Sequence, residues 1–235
     1  EPFWQFDGVM RLSPSCVSNP GLRFSRMAFK IMRMYLECQS TTRLTGHPPA
    51  PQEIALARNK RHLEPKVKKE EIELVAMALL KEKGYDNTSM AEIARAAGVA
   101  ANTIYWYFEN KDDVLIAVLN RVVSHVMAEV VALQDQPIRT RILTLIDQIE
   151  SAGALMTDVH SRVSHSAKVQ AWHDQFHMMV EQLSVTELVN AGVSKDEAQL
   201  DAKLLIYVIE GLLAHPHKLQ EREQIIDQAL KRVFG

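Results

Sequence analysis

The chain has 235 residues, 47% of them hydrophobic and 24% charged, with a formal net charge of −2, enough for one large core or two modest domains. Leu, Ala, Val, Ile and Met dominate and there are only 9 glycines, a profile that argues for helices and against an all-β fold. Without an evident run of ~18 apolar residues, no membrane span is expected, and the composition reads as a soluble, all-α protein.

Residues 1–57 differ from the remainder. Pro2, Pro14, Pro20, Pro48, Pro49 and Pro51 lie here among serines and threonines with little periodicity. A short basic amphipathic helix over 23–39 is the one exception. A disordered or accessory extension, a targeting segment and a start-site artefact compete as readings, and the extension is expected to stand outside the functional fold. Both cysteines, Cys16 and Cys38, fall within it, so no disulfide framework is needed and a reducing cytosol suits the chain.

A basic arm follows. Between Arg58 and Lys69 stand six cations (Arg58, Lys60, Arg61, Lys66, Lys68 and Lys69) against Glu64 alone, whereas residues 118–235 carry 11 Lys/Arg against 15 Asp/Glu. A basic arm ahead of an acidic body suits a protein whose head alone meets phosphate, although a solvated basic linker has the same composition. Helical periodicity begins near Lys66, with Ile72, Val75, Ala76, Ala78, Leu79 and Leu80 as the apolar stripe and Gly84 at the helix end.

Ser89-Met-Ala-Glu92 is a capping box opening a second helix through Ile93 and Ala94 to Ala97. Gly98 makes a turn, and a third helix is expected from about Ala101 to Phe108. Four consecutive rings, Tyr105, Trp106, Tyr107 and Phe108, point in all directions around a helix, so they cannot all face one core. This is the layout of a helix-turn-helix, whose second helix presents its N-terminal end to base edges. Thr103, Tyr105, Tyr107 and Lys111 are candidates for phosphate, and Ser89 belongs to the same surface. Ala100, Ala101, Asn102 and Trp106 are candidates for base contact, since Asn can bridge adenine N6 and N7 while methyls and an indole edge can meet thymine methyls. Phe108, one turn from Ile104, belongs to the core, and Trp106 and Tyr107 are expected on the surface.

Residues 66–119 resemble the DNA-binding head of the TetR/AcrR family of bacterial regulators. The resemblance rests on Ser89-Met-Ala-Glu-Ile-Ala-Arg-Ala-Ala-Gly-Val, Thr103-Ile-Tyr-Trp-Tyr-Phe and Asn110-Lys-Asp-Asp-Val-Leu. It implies that Thr103, Tyr105, Tyr107 and Lys111 contact phosphate and that Trp106 lies near bases. Ala101 replaces the Lys, Arg or Gln of many members, so a strong guanine contact is not expected from that position. The implied organisation is an extension (1–57), a helix-turn-helix head with its basic arm (58–117) and a helical ligand-binding and dimerisation body (118–235). The implied function is a cytoplasmic, nucleoid-associated homodimeric repressor. It would be released from a palindromic double-stranded DNA operator by an unidentified small-molecule effector, with no membrane partner, no enzymatic activity and no cofactor. An activator with the same head is the alternative within the family.

In the body, helices are expected over 111–134 and 138–155, then a His-rich region over 159–191. A second capping box, Ser194-Lys-Asp-Glu197, opens an apolar helix ending at His215-Pro216, and a last helix covers 221–234. No strand is expected. By the resemblance, the two last helices form the dimer interface, through Leu200, Leu204, Val208, Gly211 and Leu212 on one and Ile226 and Leu230 on the other. An intrachain bundle would have the same pattern. His160, His165, Trp172, His173, Phe176 and His177 are the ligand-binding candidates. His173 and His177 share a helical face, but the stretch reads His-Asp-Gln-Phe-His, without the glutamate of HExxH. No zinc hydrolase is therefore expected, and no metal is assigned. A metal- or ligand-binding enzyme carrying a helix-turn-helix is the rival class, supported by the histidines alone.

Overall fold

A computed structural model of the chain describes residues 4–6, 10–12 and 58–234. Two strands, β1 (Trp4–Phe6) and β2 (Met10–Leu12), pair antiparallel with Trp4 opposite Leu12. They correct the expectation of no strand; three residues are too few to show the alternation by which a strand is read. The rest of 1–57, with the amphipathic helix at 23–39 and both cysteines, lies outside the described residues, as do the side chains of 58–64. The helices are α1 (Arg58–Lys83), α2 (Met90–Ala96), α3 (Ala101–Ile104), α4 (Lys111–Ala132), α5 (Ile138–Glu150), α6 (Leu155–Val163), α7 (Ala167–Asn190), α8 (Lys195–Ala214) and α9 (Leu219–Phe234).

Helix α1 begins at Arg58 rather than near Lys66 and carries Pro65 inside it, a residue that removes one backbone hydrogen bond. Its buried stripe is Ile72, Ala76 and Leu80, whereas Val75 and Leu79 are half-buried and Ala78 is exposed. Gly84 takes φ +77° and bonds back to the Leu80 carbonyl at 2.9 Å, a left-handed helix end that glycine tolerates best. Ser89 caps α2, its hydroxyl accepting from the Glu92 amide at 3.1 Å. The Glu92 carboxylate also accepts from Lys83 Nζ at 2.5 Å, which with the Ser89 amide holds it below the usual carboxylate range. Helix α3 stops at Ile104, four residues short of the expected end, and a tight turn continues it with Phe108 N donating to Ile104 O. That turn drives Ile104 and Phe108 into the core, each less than 2% exposed.

Helix α4 passes unbroken through residues 117 and 118, so head and body share it. Alone among the described helices it is long and apolar enough to cross a membrane, with a mean hydropathy of 1.8, against the expectation of no such run. Packing explains its composition: it lies against α1, α5 and α7, with Val114, Leu115 and Val118 fully buried, while Leu119, Val122, Val126 and Val130 line a cavity. Apolar residues are thus required on more than one face. The expected helix over 138–155 divides into α5 and α6 at a turn around Gly153, φ +63°. One core joins α1–α4 to α6 and α7; a second gathers Ile142, Ile146, Leu188, Ala202, Leu205 and Ile226 from α5, α7, α8 and α9.

Gly98, at φ +65°, offers open space to an added Cβ. Gly98→Ala is therefore expected to lower unfolding free energy by about 1–2 kcal/mol through left-handed backbone strain alone, read by urea denaturation. A loss well above this would mean that packing contributes too.

Candidate nucleic-acid interface and ligand cavity

The turn at Gly98 sets α2 against α3, closed by Val99 N donating to Ala94 O at 2.9 Å. Ala100 opens α3 without a side-chain cap. Ala100, Ala101 and Asn102 are exposed, as are Tyr105 and, at 83%, Trp106. An indole left this far in water is unfavourable by itself. Ser89 is exposed at the start of α2, and Thr103 is half-buried. Tyr107 is also half-buried, packed on the first core, which corrects its expected exposure.

Two of the expected phosphate-facing cations are held inside the head. Lys68 donates to the Ala97 carbonyl at the end of α2, at 3.1 Å, and to Glu71 at 2.7 Å. Lys111 lies 3.9 Å above the Tyr85 ring and donates to the carbonyls of Tyr85 at 2.7 Å and Thr88 at 2.9 Å. Burial pushes its pKa down. In this conformation Lys111 ties down the loop between α1 and α2, rather than standing free towards solvent.

That loop is where head meets body. Asp158 of α6 accepts from the Tyr85 amide at 2.8 Å, the Tyr85 hydroxyl donates to Asp112, and Arg162 of α6 donates to Asp112 at 3.1 Å. A Cβ on Gly84 would lie 3.6 Å from the Asp158 carboxylate. From α7, Lys168 adds bonds to Glu109 at 2.7 Å and Asp113 at 2.9 Å. Sequence reasoning missed this junction, because its members are up to 73 residues apart and share no spacing rule. Burial and the Asp112 carboxylate push the Tyr85 hydroxyl pKa up. Burial also pushes Asp112 up, but the bonds from Tyr85, Ser166 and Arg162 outweigh it, and the net shift is downward. Asp158 is raised, burial outweighing its bond from Tyr85.

The body encloses a cavity of about 220 Å³. Its walls are apolar residues of α4, α5, α7 and α8, such as Leu119, Val126, Ile142 and Leu188, and its polar lining includes Ser184, Glu210 and the Arg141–Glu187 ion pair. The structure brings His160, Trp172, His173, Phe176 and His177 to it. His165 is not among the lining residues: it sits at the α6–α7 turn, with Nδ1 2.9 Å from Ser164 Oγ and 3.0 Å from Ser161 O. Trp172 is buried, donates to Asn120 Oδ1 at 2.8 Å and stacks on Phe176 with centroids 5.4 Å apart.

The expected dimer residues divide. Leu200 is 73% exposed, Leu204 is exposed beside exposed Tyr207 and Ile225, and Val208 and Gly211 are half-buried. Leu212, Ile226 and Leu230 are instead buried in the second core. Their helices pack on one another within the chain, and the positions facing inward cannot also serve a partner.

Two outcomes follow from the junction. Lys111→Ala strips two part-buried carbonyls of their donor and is expected to cost about 1–3 kcal/mol in denaturation. In carboxyl carbon-13 titrations, Asp112 should titrate below, and Asp158 above, the usual aspartate value of about 3.9. The stability that Asp112 contributes is complete above that value and lost as pH falls through its lowered pKa. Asp158 acts oppositely, relieving the fold as it protonates.

Against this geometry, residues 74–118 match the family model described as bacterial regulatory proteins, tetR family. The chain is 48% identical over 42 residues to the fatty acid metabolism regulator protein of Bacillus subtilis, covering 18% of this chain and 22% of that one. It is 49% identical over 39 residues to the HTH-type transcriptional regulator AcrR of Shigella flexneri, covering 17% and 18%. These matches span about a fifth of each relative's length. The fold extends further: a transcriptional regulator of the same family from Aquifex aeolicus superposes with a TM-score of 0.57 at 15% identity, covering 71% of this chain and 99% of that one. Residues 74–118 are thus similar in sequence to the DNA-binding segment of bacterial regulators of the tetR family, and the described helices share the fold of a regulator of that kind.

Proposed function

We propose that the protein is a homodimeric DNA-binding transcriptional repressor whose operator affinity is set by a small molecule in the body cavity. The observation that carries the reading is the exposed surface of Asn102 on the second helix of a helix-turn-helix and of Tyr105 and Trp106 on the turn that continues it. An indole left in solvent at the end of a short, small-residue helix suits a groove contact. Tyr105, with Thr103 beside it, would hold phosphate, and Ser89 lies at the start of the preceding helix. The exposed apolar strip of Leu200, Leu204, Tyr207 and Ile225 on α8 and α9 supports a second copy of the chain as partner. In such a dimer the two heads would address half-sites roughly 34–36 Å apart.

The coupling follows from α6. Met156, Val159 and His160 line the cavity, while Asp158 and Arg162 bond Tyr85 and Asp112 at the head. A ligand that binds better when α6 is displaced would favour that state by its difference in affinity, and the head would move with the helix.

Selection from random DNA should return a palindromic site whose affinity falls steeply with salt. Trp106→Ala and Asn102→Ala should each weaken that site by about 1–3 kcal/mol while leaving random DNA little changed. Equal losses on both DNAs would remove the base-reading role.

A further inference from the structure

Against the expectation of no metal, we infer that His160, His173 and His177 form a divalent transition-metal site at the solvent-facing edge of the cavity, with Glu210 as the fourth ligand. We infer further that this ion is the effector. The second statement rests on the regulator proposed above; the first stands without it.

The three side chains converge from two helices: one donor atom from each lies within 4.8 Å of the others. His173 and His177, one turn apart on α7, place their Nε2 atoms 3.0 Å from each other. His160 of α6 packs edge-on to His173, with ring centroids 5.3 Å apart. A tetrahedral ion with metal–nitrogen bonds of about 2.0–2.1 Å spaces its ligand nitrogens roughly 3.3 Å apart. The pair on α7 is already near that spacing, and His160 needs a side-chain adjustment of at most about 1.5 Å. The tautomer of His160 favours coordination too: Nδ1 lies 2.9 Å from the Met156 carbonyl, so it keeps the proton and leaves the Nε2 lone pair free. Asp174 stands 3.8 Å from His173 Nδ1, where a carboxylate can orient a ligating imidazole. From α8, Glu210 reaches within 3.4 Å of His177 Nε2.

Three imidazoles and one carboxylate suit zinc, nickel or copper, not magnesium or calcium, which take oxygen ligands. Coordination would join α6, α7 and α8 through one atom. His160 is two residues from both Asp158 and Arg162, so the ion would draw on the same short helix that holds the head.

Cobalt(II) added to the purified full-length chain tests the site. One equivalent per chain should develop the visible absorption of a four-coordinate ion, and zinc should abolish it by displacement. His173→Ala should weaken cobalt binding by more than about 100-fold, since lost outer-shell partners alone cost 10–100-fold. His165→Ala, outside the cluster, should leave it unchanged, and both variants should keep the helical circular dichroism of the parent. Absence of that absorption, or equal affinity in His173→Ala, overturns the site. Operator binding is then measured on metal-free and zinc-loaded protein. At least a tenfold difference that disappears in His173→Ala supports the ion as effector, and a formed site without such a difference overturns that role. Failure of the metal-free protein to bind any selected DNA would remove the regulator reading and leave the cobalt result standing.

Discussion

The loop at 84–88 is held by charges that come from elsewhere in the chain, and the relation of head to body depends on them. Lys111 supplies the donor for two loop carbonyls, Asp158 accepts the Tyr85 amide, and Asp112 takes both the Tyr85 hydroxyl and the Arg162 guanidinium. Each of these groups is partly withdrawn from water, so each is costly unless its partner is in place. Opposite charges are interleaved around one tyrosine ring, with Lys111 on its face at 3.9 Å and Arg162 at 5.0 Å. Displacing α6 without the head would therefore strand these groups.

The geometry of α6 gives that constraint a consequence. Residues two apart on a helix point to nearly opposite sides. Asp158 and Arg162 address the head, whereas Met156 and His160 address the cavity. This nine-residue helix packs against α7 and buries Leu155 and Val159 in the first core. What occupies the cavity and what holds the head are thus two faces of one small element. The histidines of α7 extend this arrangement, since they meet His160 on its cavity side.

The α8–α9 pair shows how one apolar pattern serves two demands. Leu212, Ile226 and Leu230 close the second core, and Leu200, Leu204 and Tyr207 remain outside it. An apolar stripe wider than the intrachain contact requires leaves a strip exposed among the described residues.

Local chemistry was legible in the sequence: the two serine caps, the left-handed glycines at 84 and 98, the inward Phe108 and the likeness of the head to a regulator family. Each depends on residues within a few positions, where spacing alone sets geometry. Tertiary structure decided what spacing cannot reach. Lys111 and Tyr107 were expected on the DNA face and are drawn inward by the loop and the core. Leu212, Ile226 and Leu230 have the same apolar character as Leu200 and Leu204, so only the packing of α5 and α7 against them separates core from surface. His165 is nearer in sequence to the α7 histidines than His160 is, yet His160 lines the cavity and His165 sits at a turn. For Lys111 the deciding partners lie 26 and 23 residues away, and the position of such partners is known only once the helices have packed.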